Sequence, residues 1–244
     1  MITDICKLCH DPKPLCGSHI IPEFFYEFLY DEKHRFNILS GTAGQRPRFA
    51  QKGMKEPLLC ETCETKLSKY EGYARGVFLG GREIVCVKEA GRVVVQQLEY
   101  ETLKLFQMSI LWRAGVAKQP LFSNVDLGPH EERLRSMLIS GTAGKPSEYG
   151  CAVICLLNNG KPLGDLITQP LLIRLKGHRC YRFFFGGFFW HYFVSSHRPG
   201  KPWDNLFLQS QGTMIVYLTE DGGENGYLRS LADNFGKHNP RWLR

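Results

Sequence analysis

The chain reads as α+β, with a small N-terminal region over residues 1–76 and a larger mixed α/β domain over 77–244, built from an antiparallel sheet and a buried central helix. Three observations predict this. Two Cys-x-x-Cys pairs, Cys6/Cys9 and Cys60/Cys63, bracket the first region. A stretch from Glu99 to Ala117 is apolar around most of a helix, which marks a central buried element. Beyond residue 149, short apolar runs alternate with turn residues in the manner of strands.

Each cysteine pair offers two thiolates from one tight turn, and four thiolates in tetrahedral array make a closed structural zinc site. The second pair follows the apolar run Pro57-Leu58-Leu59 and leads into a helical pattern, so the two pairs read as zinc knuckles feeding one helix. Their neighbours Asp4, Lys7, His10, Asp11, Glu61 and Glu64 are polar. Free thiols would gain little from burial there.

The remaining composition sets outer bounds. With 244 residues, 43% hydrophobic and 23% charged, the chain can bury a full core. An odd count of nine cysteines, with no basic-then-apolar leader, points to reduced thiols and a cytoplasmic location. No run approaches the roughly 18 apolar residues of a membrane helix, so no membrane partner is expected.

The elements follow in order. Residues Ile21 to Leu29 read as a short helix opened by Pro22 in its first turn. After Cys60, the positions Cys63, Leu67, Tyr70 and Ala74 form an inward stripe, with Glu64, Ser68 and Glu71 on a polar one. That helix is expected to stop near Gly76. Glu83 to Val87 and Arg92 to Val95 pair as strands across a glycine turn. In the helix over 99–117, Arg113 requires an acidic or carbonyl partner if its end is buried. A further helix opens after Gly128-Pro129, with Glu131 and Glu132 in its first turn to suit the dipole.

Strands are expected at about 149–157, 170–175, 180–185, 188–195 and 213–218, with a tight hairpin at Gly186-Gly187. Cys151 and Cys155 share one strand face and read as core. The aromatic run from Phe183 to Trp190 reads as core in preference to a base-stacking platform. The pentamer Ser-Gly-Thr-Ala-Gly occurs at 40–44 and again at 140–144, without the leading glycine and Lys-Ser/Thr ending of a phosphate loop in the second copy. It reads as repeated turn chemistry. A Cys/His nucleophile has two local candidates, Cys180 two residues from His178 on a shared strand face, and Cys16 near His19.

The net charge is +7, and its distribution matters more than its size. Between Lys33 and Lys55 lie Arg35, Arg46, Arg48 and Lys52 with no acid, interrupted by Gly41, Gly44, Pro47 and Gly53. Such a basic arm suits the phosphate backbone of DNA or RNA, with Arg35, Arg46, Arg48, Lys52 and Lys55 as contacts. It also suits a solvated surface loop.

The order Cys6-x-x-Cys9, Ser18-His19-Ile20-Ile21-Pro22, Leu58-Leu59-Cys60-x-x-Cys63 and a following helix resembles the HNH, or ββα-metal, nucleases in their zinc-knuckle, treble-clef form. The resemblance covers about residues 1–75. It implies that His19 is the general base toward water, beside a divalent metal that stabilises the scissile phosphate. The family's acid before the histidine is Ser18 here, its histidine after the last cysteine is Glu64, and its orienting asparagine has Asn37 as candidate. A magnesium or manganese site would draw on His19, Glu64 and Glu71 or Asn37.

The remainder looks like bacterial proteins of the same layout without an assigned activity, which leaves room for a protein partner or an anti-phage role. Two functional readings stay open. One is a metal-dependent DNA or RNA endonuclease; the other is a zinc scaffold that binds nucleic acid or protein and breaks no bond.

Overall fold

The computed structural model describes residues 3–39, 48–195 and 197–220. It is mixed α+β, and its first third assembles around the two cysteine pairs. Strand β1 (Thr3–Ile5) runs antiparallel to β2 (Pro12–His19), which pairs in turn with β5 (Lys55–Cys60). Between β2 and β5 in sequence, β3 (Phe36–Ile38) and β4 (Arg48–Ala50) pair antiparallel as a separate two-stranded sheet. The basic arm therefore contains regular structure, a correction to the reading that its glycines and Pro47 interrupt any element. Residues 40–47, with Arg46 and the first Ser-Gly-Thr-Ala-Gly copy, lie outside the described residues.

Helix α1 (Glu61–Leu79) begins directly at Cys60, and it runs past the expected stop at Gly76. The first true break is Gly80, whose φ of 87° suits glycine; Gly76 has negative φ and costs the helix only its propensity. The buried face is Cys63, Leu67, Tyr73 and Ala74, so Tyr73 takes the place assigned to Tyr70, which is only half-buried. The expected helix over Ile21 to Leu29 is instead a single 3-10 turn, Glu23–Phe25. Its aromatic side chains explain why. Phe24, Phe25 and Tyr26 are all buried, and consecutive buried residues do not fit the one-sided stripe of a surface helix.

Beyond the helix, β6 (Val85–Glu89) and β7 (Arg92–Gln96) form the expected hairpin. Helix α2 (Tyr100–Val116) follows, buried at every position from Leu103 to Ala114. It packs against α1 and α3 (His130–Ser140), the latter ending at Gly141 with φ 75°. This glycine belongs to the second pentamer copy, where it closes a helix as ordinary turn chemistry.

The large sheet adds β8 (Cys151–Asn158), β9 (Lys161–Pro162), β10 (Thr168–Leu175), β11 (His178–Phe185), β12 (Phe188–Phe193) and β13 (Met214–Glu220). Its order is β10-β11-β12-β8-β13-β7-β6, with β9 beside β8. Every pairing is antiparallel except β13 with β8, which is parallel, so the sheet is mixed. Gly186 and Gly187, at φ 63° and 82°, make the two-residue turn between β11 and β12. Cys151 and Cys155 are buried together in the core.

One hydrophobic cluster runs from Cys6 through α2 to Val216, continuous across residue 76. Phe25 is its hinge pin: its ring lies 4.8 Å from Phe185 and 5.6 Å from Phe78, and Phe185 stacks on Trp190 at 4.9 Å and 12°. The aromatic run is thus core, since Phe183, Phe184, Phe185, Phe189 and Trp190 are all buried. No helix among the described residues is long and apolar enough to cross a membrane.

Candidate metal centre and adjoining cleft

The sulfurs of Cys6, Cys9, Cys60 and Cys63 all lie within 4.8 Å of one another. Among the described residues no other group of three or more His, Cys, Asp or Glu converges in this way. A zinc ion bonded to sulfur at about 2.3 Å in a tetrahedron sets its sulfurs about 3.8 Å apart. The Cys9 and Cys60 sulfurs are 3.8 Å apart, so the residues fit the ion.

Local backbone contacts bring this quartet together. His10 accepts φ 64° to turn the first knuckle, its N–H bonding Cys6 O at 2.9 Å, while Lys7 N bonds Leu58 O at 2.9 Å and ties the knuckle to β5. Cys60 caps α1 and Cys63 sits in its first turn, where the helix dipole favours thiolates. The Cys60 N–H donates to Cys6 Sγ at 3.3 Å. Burial raises the Cys6 thiol, but amides of Cys9, Cys60 and Leu8 outweigh it and bring it to about 7. Burial and the neighbouring sulfurs push Cys63 far up, a crowding that a divalent cation relieves. From the far side, Arg135 on α3 donates to Leu8 O at 2.5 Å and anchors the knuckle to the helices.

Next to this centre lies the second cluster. Ser18 is fully buried, and its hydroxyl donates to Glu64 Oε2 at 2.7 Å. Burial raises the Glu64 carboxyl, with Ser18 and Arg113 acting against that. Arg113 is 1% exposed, yet satisfied: it meets Glu71 at 2.6 Å and donates to the His19 carbonyl at 2.5 Å and Ser109 O at 3.3 Å. Both kinds of partner expected for it, acid and carbonyl, are present.

His19 ends β2 opposite Lys55, with its side chain 15% exposed. Its Nε2 approaches Glu23 Oε2 to 2.5 Å without hydrogen-bond alignment. Burial lowers the imidazole's pKa below its ordinary 6.5, more than the Glu23 charge raises it, so the ring is neutral at neutral pH. Glu23 also accepts from the Tyr30 hydroxyl at 2.6 Å. Asn37 is exposed on β3 and shares no hydrogen bond with His19. The structure therefore brings His19 to Glu23, and Glu64 to Ser18. Glu23, a residue the sequence reading passed over, was signalled only by its place four residues after His19.

An open cleft of about 470 Å³ lies beside this pair, lined by Glu23, His34, Gln51, Lys52 and Lys55. Two of the expected basic contacts, Lys52 and Lys55, thus face one space. Arg48 is exposed on β4. Arg35 is engaged at once with Asp31, Nη2 to Oδ2 at 2.9 Å, and with the Phe49 ring, 4.4 Å from its centroid. In the other half, Cys180 is wholly buried, which withholds it from any substrate in solution.

No family model matches the chain, and neither a curated protein nor a solved structure matches it.

Proposed function

We propose that this chain is a zinc-organised, HNH-like module whose cleft beside β2 holds a nucleic-acid backbone without cutting it. The carrying observation is the cleft itself, where Lys52, Lys55 and His34 gather beside the His19 and Glu23 pair. Two ammonium groups on one open wall offer a phosphate two charge-assisted contacts.

The donor set supports binding over metal-assisted cleavage. At the two positions where the family places metal ligands stand a neutral hydroxyl and one carboxylate, already hydrogen-bonded to each other. Glu71 is neutralised by Arg113, and His19 Nε2 is faced by Glu23. A hard cation such as magnesium prefers several free oxygen ligands, so these residues do not fit one and no step is assigned to it.

The test is fluorescence anisotropy with labelled DNA and RNA over a salt series. Each neutralised phosphate contributes a slope of roughly 0.7 to 0.9 in log affinity against log salt. Lys52→Ala and Lys55→Ala are each expected to flatten the slope by about that amount. Salt-independent binding that both variants leave unchanged sinks the reading and leaves a protein-binding scaffold.

One observation favours cleavage as a second reading. The neutral imidazole of His19, set behind the cleft-lining Glu23, has the protonation state of a general base. Nucleic acid cut by the chain, with or without added magnesium or manganese, and no longer cut by His19→Ala, establishes it and overturns the preference for binding alone.

A further inference from the structure

We infer that the nucleic acid taken by this cleft is single-stranded, its unpaired bases stacking on aromatic rings displayed along the β3–β4 arm. The inference rests on the binding reading above and narrows it to a substrate class. Two exposed rings carry it, each held in place by neighbouring side chains.

The first ring is His34, on the cleft wall. Its φ of 54° is left-handed, a conformation that residues with a β-carbon adopt at a cost. The N–H of His34 donates to Asp31 O at 2.8 Å and fixes the turn. Its ring lies face to face on Tyr30, with centroids 3.8 Å apart and planes 19° from parallel. Tyr30 in turn is pinned by its hydroxyl donating to Glu23. The exposed imidazole is thus presented in a set orientation, stacked from behind.

The second ring is Phe49 on β4, 54% exposed although the core is rich in aromatic partners. The Arg35 guanidinium lies over it and is itself clamped to Asp31, by Nε at 3.1 Å and Nη2 at 2.9 Å. Arg48 precedes Phe49, and Lys52 follows three residues later on the way to Lys55. His34 lines the cleft together with Lys52 and Lys55, and Phe49 lies under the guanidinium of Arg35, the residue after His34, so rings and cations are neighbours here, as a backbone that carries a phosphate between successive bases requires. In a duplex the base faces are already stacked on one another, so exposed rings have nothing to meet. Only an unpaired strand uses both sets of groups.

The full chain, zinc-loaded, is titrated against a labelled twelve-nucleotide single strand and the duplex of the same sequence, as DNA and as RNA. Losing one base–ring stack weakens binding by about 5- to 150-fold. Phe49→Ala is expected to weaken single-strand binding at least fivefold and leave duplex binding unchanged, while Lys52→Ala weakens both. Because Phe49 is at the surface, the variant should melt with the wild type. A 2-aminopurine base in the strand should lose fluorescence on binding to wild type and regain it with Phe49→Ala. Equal affinity for strand and duplex, or no effect of Phe49→Ala, overturns the inference; if Lys52→Ala still flattens the salt slope, the binding reading survives that failure. Absence of binding to any probe sinks both.

Discussion

Replacing Arg113 by alanine should be among the most damaging single changes in this protein. The guanidinium is 1% exposed and serves Glu71, the His19 carbonyl and Ser109 at once. Without it, a carboxylate that is 23% exposed loses its counter-charge, and a carbonyl at the end of β2 loses its donor. Breaking a buried ion pair by removing one partner costs about 3–5 kcal/mol. At this chain length each kcal/mol lowers the melting temperature by about 2–4 °C, so a fall of about 6–20 °C is expected. Urea unfolding of the zinc-loaded protein measures the free-energy loss and a thermal melt the shift, with the buried Trp112 and Trp190 as fluorescent reporters. Adding Glu71→Gln to Arg113→Ala should recover part of the loss, because an unpaired amide is cheaper to bury than an unpaired charge. A loss under about 1 kcal/mol, or a double variant weaker than the sum of its singles, would refute the account of Arg113 as the tie between α2, α1 and β2.

Three further outcomes are expected. Elemental analysis should find one zinc per chain, and Cys63→Ser should lose it and unfold the first region, since structural zinc contributes on the order of 10–16 kcal/mol in zinc-finger peptides; an unchanged near-ultraviolet spectrum after zinc removal would contradict this. Gly186→Ala should cost about 2–4 kcal/mol in a denaturant titration, because its β-carbon would lie 2.4 Å from Phe25 Cδ1 at a φ of 63°; a neutral variant would mean that the hairpin does not seat Phe25. Lys104 is fully buried, its ammonium held by the carbonyls of Tyr149 and Pro146, and burial lowers its pKa from 10.5 to about 8. Below pH 8 both folded and unfolded chains carry that proton, whereas between 8 and 10.5 the unfolded chain binds more, so this group adds stability as pH rises through that window. Lys104→Met should therefore gain on the wild type at pH 7 and lose that advantage, a few kcal/mol at most, by pH 10; a gap that does not change with pH rules this out.

Where one principle dominated, the residues declared the fold in advance. The cysteine spacing marked the metal centre because tight turns leave a pair few other geometries, and Gly186-Gly187 marked its hairpin because few other residues tolerate both φ angles. α2 was legible from apolar residues on all sides, and from a lone arginine that demanded partners. Elsewhere tertiary packing overrode local pattern. Pro22 and the residues after it resemble a helix start, but burial of Phe24, Phe25 and Tyr26 together allows only one turn. The parallel entry of β13 beside β8 joins strands with more than fifty residues between them, and no periodicity encodes that. Glu23 escaped notice for a different reason: a carboxylate four residues after a histidine is no motif, and its role shows only once Tyr30 and the cleft stand around it.

That parallel entry also orders assembly. β13 sits between β8 and β7, so the β6–β7 hairpin has no other neighbour in the sheet and must wait for residues 214–220 to be made before it can dock. During synthesis its exposed Val85 and Val87 and its open backbone edge would face the cell's other nascent chains. A stop codon just upstream of Met214 would thus cut the sheet in two and leave a sticky ribbon, rather than trim an ornament from its rim.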